Sequence, residues 1–180
     1  MWTEIRVIDD VLLAHAPQLG ADLTAYRNHA YRVANLCAAL RPPGEDRPDS
    51  QDKIAIAAVM HDLGIWTAHT FDYLPPSIEL ATDYLGSSGR SEWVPEVTTM
   101  IREHHKVTAY RGNAHKLVEA FRRADLVDVS RGAVGYGLPR NLIREIFSTW
   151  PNAGFHKRLA QLAFERLRLH PLSPLPMLRW

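Results

Sequence analysis

Residues 50–64 read SQDKIAIAAVMHDLG, and the fold turns on how this stretch is read. Its apolar residues run together without the strict alternation of a half-buried strand. The pattern predicts a helix from near Ser50, with Gly64 as its C-terminal stop. In its last turn stand His61 and Asp62, an imidazole and a carboxylate closing one of the most apolar segments of the chain. An unpaired carboxylate is costly to bury in such a place, and a cation or strong donors must offset the cost. Carbonyl groups at a helix C-terminus add partial negative charge that favours a bound cation. Histidine with aspartate suits Mn, Fe, Co, Ni or Zn. A core histidine hydrogen-bonded beside a solvated aspartate would account for the dipeptide equally well.

Outward from this segment, helical periodicity continues in both directions. Upstream, Leu23, Tyr26, Ala30, Val33, Cys37 and Leu40 form one stripe, which predicts a first helix over about 22–40 with Asp22 as N-cap. RPPGEDRPDS then reads as a loop. Downstream, WTAHTFDYLPP reads as irregular, followed by a helix over 77–85 that GSSGR breaks. Another begins near Pro95, a residue suited to a first helical turn, and runs through VTTMIREHHKV. Further helices are expected over 114–129, 140–149 and 155–169, and the tail HPLSPLPMLRW reads as extended. Hairpin signals are missing, so the expected class is all-α, in a single domain spanning residues 1–180.

Composition narrows the function classes. The 180 residues carry a formal net charge of +1, with 46% hydrophobic and 23% charged residues. That balance gives no reason to expect a nucleic-acid polymer or an acidic membrane as partner. Cys37 is the single cysteine, so no intrachain disulfide forms, and its apolar neighbours mark it as a small core residue. The acidic start MWTEIRVIDD does not read as a signal peptide, and no apolar run approaches the roughly 18 residues of a membrane span. The expected compartment is the cytoplasm.

Four further positions join the His61–Asp62 pair. His29 follows Tyr26 by three residues and precedes Val33 by four, on the core side of its helix. Asp125, in LVEAFRRADLVDVS, shares an apolar face with Val118, Phe121 and Val129. EHHKV sets His104 and His105 on the element between them. Each of these alone is as well explained by a satisfied structural residue. Together with that pair they place ligand-type residues on the inner side of three helices and a His pair on a fourth, and buried ionisable groups need a shared partner that a metal supplies.

The order of these motifs, RNHAYRVANLCAAL, AAVMHDLG, MIREHHK and FRRADLVDVS, resembles the HD-domain superfamily of metal-dependent phosphohydrolases. The resemblance covers residues 22–130, with C-terminal helices and the Pro-rich tail over 131–180. It implies a compact helical bundle with the metal site at its centre, and a first divalent ion on His29, His61, Asp62 and Asp125. His104 and His105 would serve a second metal, or act as a hydrogen-bond partner of the site and a helix-surface residue respectively. The chain departs from the family in HDLGIW, where Ile65 replaces the lysine that many members carry. The segment TFDYLPPSIELATDYLGSSG is similar to the corresponding part of cyanamide-hydratase-like HD proteins.

The activity so implied is hydrolysis of a small phosphorylated metabolite or nucleotide by a metal-activated water, with Asp62 and His104 in catalytic roles. The alternatives are a hydratase or lyase acting on a small C–N substrate such as a nitrile, and a non-catalytic HD-type binding module. Phosphate oxygens would need cations, for which Lys106, Arg102, Arg123 and Arg131 are nearest, Arg123 foremost. His69 and Trp66 are expected along a pocket wall. The loop RGAVGYGLPR is a candidate lid, in which Tyr136 would stack on a ring or stand as a plain loop aromatic. His15, His115, His156 and His170 have no acidic partner at ligand spacing and read as surface or local-cap residues. The partner is a small molecule, and the terminal tail with Trp180 would serve either a second subunit or its own domain.

Overall fold

The computed structural model describes residues 1–112, 115–173 and 176–178. It is all-α, and no strand occurs among the described residues. The elements are α1 (Arg6–Ala14), α2 (Ala16–Leu19), α3 (Leu23–Leu40), α4 (Pro48–Met60), α5 (Gly64–Thr67), α6 (Leu74–Ser87), α7 (Val94–Glu103), α8 (Val118–Val129), α9 (Arg140–Thr149) and α10 (Phe155–Leu169). Among the described residues no helix is long and apolar enough to cross a membrane.

At the centre lies α3, packed against α8 on one side and α4 on another, with α7 bridging α4 and α8. This helix is buried almost all round, including Asn28, His29, Arg32 and Asn35. A helix that neighbours enclose on several faces must satisfy its polar side chains internally. Asn28 accordingly donates to the Pro151 carbonyl at 2.7 Å, and Asn35 donates to the carbonyls of Trp2 and Tyr31 at 3.0 and 2.9 Å.

Several boundaries differ from expectation. The helical body starts upstream of residue 22, because Ile8, Val11 and Leu12 of α1 are buried and the helix packs on α4. Asp22 does not cap α3. Its carboxylate instead accepts from Trp66 Nε1 at 3.0 Å and pairs with Arg158 at 3.0 Å. Gly64 does not end α4 in a left-handed turn; it opens α5. A Cβ there would stand 2.5 Å from the Tyr73 carbonyl oxygen and 2.8 Å from Ser77 Oγ, so the glycine permits a close approach between α5 and α6. The helix expected from Ala114 begins, as described, at Val118; Ala114 itself lies outside the described residues, as does Trp180. Elements α9 and α10 match the expected spans. The tail is not simply extended: it turns near residues 171–172 and 176–177, and Met177 is buried.

Candidate metal centre

The four principal residues come together. His29 leaves mid-α3, His61 and Asp62 stand in the turn that ends α4, and Asp125 lies on α8, all of them buried. His29 Nε2 is 3.0 Å from His61 Nε2. Both nitrogens are 3.5 Å from Asp62 Oδ2, and they are 3.9 and 3.8 Å from Asp125 Oδ1. Donors held about 2.1 Å from one metal are separated by about 3.0 Å at right angles and about 3.4 Å at tetrahedral angles. The shorter spacings here fall in that range, and His29, His61 and Asp62 can hold a metal ion.

Hydrogen bonding explains why these nitrogens face one another. His61 Nδ1 donates to the Ala58 carbonyl at 2.9 Å, and His104 Nδ1 donates to the Ile101 carbonyl at 2.6 Å. His29 Nδ1 donates to Asp128 Oδ2 at 2.7 Å. Carbonyl and carboxylate oxygens only accept, so each ring carries its hydrogen on Nδ1. All three imidazoles therefore turn Nε2, which carries a lone pair when the ring is neutral, toward the centre. Two lone pairs 3.0 Å apart repel unless a cation, either a proton or a metal, lies between them. Burial alone lowers the His29 pKa, but hydrogen bonds to Asp128 and Asp62 raise it to about 9. Burial drives His61 down to about 3, which keeps it neutral and fit to be a ligand.

Asp128 and Arg32 were not identified as part of the site from sequence. Burial raises the Asp128 carboxyl, yet His29 and Arg32 outweigh it and hold the pKa at about 2. Arg32, fully buried, engages both Asp128 oxygens and also donates to the carbonyls of Trp150 and Pro151 at 3.0 and 3.3 Å. A carboxylate that receives the far N–H of a ligand histidine fixes its ring and its tautomer. The only sequence signal is spacing: Arg32 follows His29 by three residues, as Asp128 follows Asp125. Phe155 completes the clamp, stacked on the His29 ring at 3.9 Å. With neutral histidines, the three aspartates less the one guanidinium leave two negative charges, which a divalent cation balances.

The second face of the cluster uses the other carboxylate oxygens. His104 Nε2 is 3.5 Å from Asp62 Oδ1, and His105 Nδ1 is 3.7 Å from Asp125 Oδ2. Asp62, His104 and His105 form a second group that can hold a metal. Asp62 Oδ1 and His104 Nε2 are buried without a hydrogen-bond partner, the state expected of atoms shaped for a ligand. His105 Nε2 lies 2.6 Å from the Tyr73 hydroxyl, so His105 is tied into the site and is not a plain helix-surface residue. The polypeptide leaves helix α7 at Glu103, which lets the two consecutive histidines point into one site.

The expected phosphate-binding cations fall elsewhere. Arg123 Nε donates to Glu119 at 2.7 Å, and its guanidinium lies over the Tyr136 ring at 5.1 Å. The Lys106 carbonyl accepts from Arg122 at 3.1 Å, and the lysine does not line the cavity at the cluster. Arg131 lines a separate depression beside α9. Trp66 and His69, with Ile65, line a neighbouring cavity of about 460 Å³ that shares Phe71 with the cavity at the cluster. The loop over 131–140 packs toward α9, where Arg140 donates to the Gly132 carbonyl at 2.6 Å, and does not cover the cluster. His156 behaves as a local cap, bonded to Asn152, and also reaches the Asp128 carbonyl at 3.1 Å. Comparison of the chain with protein-family models, curated proteins and solved structures finds no match.

Proposed function

We propose that this chain is a metal-dependent hydrolase of the HD type, in which His29, His61, Asp62 and Asp125 hold a divalent ion of the Mn, Fe, Co, Ni or Zn group. The supporting observation is the convergence of three imidazole Nε2 atoms and two carboxylates, with His29 and His61 Nε2 only 3.0 Å apart. Such an ion supplies Lewis acidity, lowering the pKa of a coordinated water and polarising the atom that the water attacks. A second ion would take His104, His105 and the outer oxygens of Asp62 and Asp125.

The protein groups divide the remaining work. Asp128 and Arg32 hold His29 in its ligand tautomer. Were one ion bound, His104 Nε2, 3.5 Å from Asp62 Oδ1, would be placed to accept a hydrogen bond from a water there and orient it. Burial pushes the Tyr73 phenol well above its ordinary pKa, and the nearby carboxylates push it further, so it stays protonated as a donor beside His105. The family resemblance makes a small phosphomonoester the first substrate class to try, and a small C–N compound such as a nitrile the second. The test pairs bound-metal analysis with a product-resolved screen of both classes. Metal retained by the wild type and lost in Asp62→Ala, together with turnover, is the expected result. Unchanged metal content in Asp62→Ala refutes the site. A retained metal with no turnover of either class favours the binding-module alternative.

A further inference from the structure

A cavity of about 310 Å³ opens directly on the cluster, at the small end of ordinary ligand pockets. Its inner end is polar and consists of Asp62, Asp125, His105 and Tyr73. Its body is apolar: Leu159, Ala160 and Ala163 from α10, Met177 and Leu178 from the tail, with Phe71 and Val129 opposite. Among the described lining residues there is no arginine or lysine. Both lining carboxylates are already matched by the cluster's own cation requirement, so among the described lining residues nothing remains to neutralise a doubly charged ligand. Moving a phosphate group from water into such surroundings is costly, and phosphate sites ordinarily supply guanidinium, ammonium or helix N-terminal donors.

We infer that this cavity receives an uncharged small molecule with an apolar body and one polar group, the polar group placed at the carboxylate–histidine end, and that α10 and the tail form its specificity wall. The inference rests on the proposed metal site for the polar end and on the lining alone for the apolar end. It also gives the C-terminal segment a role. Of the α10 side chains only Phe155 is buried, so the helix contributes little to the core, and its apolar residues 159, 160 and 163 are used on the cavity instead.

The test uses the full-length, zinc-loaded chain and two probes of matched shape, benzamide and phenyl phosphate, in ligand-observed NMR titrations. Ala163→Phe fills the cavity from a half-buried position, and Leu159→Trp does so from the same wall should the first variant misfold. The expected result is that benzamide binds, that the cavity-filling variant weakens it about tenfold with zinc content and circular dichroism unchanged, and that phenyl phosphate does not displace it. Preferential binding of phenyl phosphate, no binding of benzamide, or indifference to both substitutions overturns the inference. A chain that fails to retain zinc yet binds benzamide in an Ala163-dependent way sinks the metal reading and leaves the cavity assignment standing. A zinc-loaded chain that prefers phenyl phosphate does the reverse.

Discussion

Asp128 connects the candidate ligands to the rest of the molecule. It receives the His29 Nδ1 hydrogen and is itself held by a fully buried arginine, so the ring orientation of His29 depends on a residue that would not touch the metal. Asp128→Asn keeps the shape and removes the charge. The expected outcome is a loss of metal affinity of about 10–100-fold, read by competition with a chelating dye, against complete loss in Asp62→Ala. Affinity unchanged in Asp128→Asn would make the Asp128–Arg32 pair purely structural. The four residues proposed as ligands were legible from sequence because each is an ionisable residue on an otherwise apolar face. Arg32 and Asp128 were not, because an arginine on a long helix normally reads as solvated. Its burial follows only from how many neighbours surround α3.

At the scale of the element, the turn from α4 into α5 and α6 sets the site. His61 and Asp62 stand where α4 ends, and Gly64 lets Tyr73 and Ser77 come close behind them, with its N–H donating to Ser77 Oγ at 2.9 Å. Gly64→Ala therefore drives a methyl into the Tyr73 carbonyl. The expected cost is about 1–3 kcal/mol, seen as a fall in Tm of about 2–4 °C for each kcal/mol in a thermal melt. Tyr73 shifts with the backbone, so metal content measured in the same variant reports whether this turn also holds the cluster. The glycine was visible in the sequence, but its reason was not: a helix stop and a close approach leave the same residue type. Likewise α1 carries a readable stripe in Ile8, Val11 and Leu12, yet the adjacent Asp9 and Asp10 give the segment a polar appearance.

Over the whole molecule, the cluster concentrates charge that the surrounding helices must hold together. Asp62, Asp125 and Asp128 come from the end of α4 and from α8, and converge on α3. A cation that binds only the assembled site stabilises the fold by mass action. Adding zinc or manganese to chelator-treated protein at about 100 times Kd is expected to add about 2.7 kcal/mol, or roughly 5–10 °C in Tm. The same addition to Asp62→Ala is expected to do nothing. An equal shift in both would mean that the ion binds elsewhere.

The sequence by itself determined the helical class and two late helices to the residue. It also marked the ionisable residues that meet at the centre, because periodicity and the cost of buried charge are local properties of the chain. Only the tertiary structure decided what surrounds those residues. Pairing of Arg32 with Asp128 joins residues 96 apart, and the apolar wall joins the turn after α5 to the C-terminal tail. Arg123, which sequence proximity put near a substrate, turns to Glu119 four residues away on its own helix. Where a long charged side chain points is set by the partners the fold brings within reach, and spacing along the chain does not encode that.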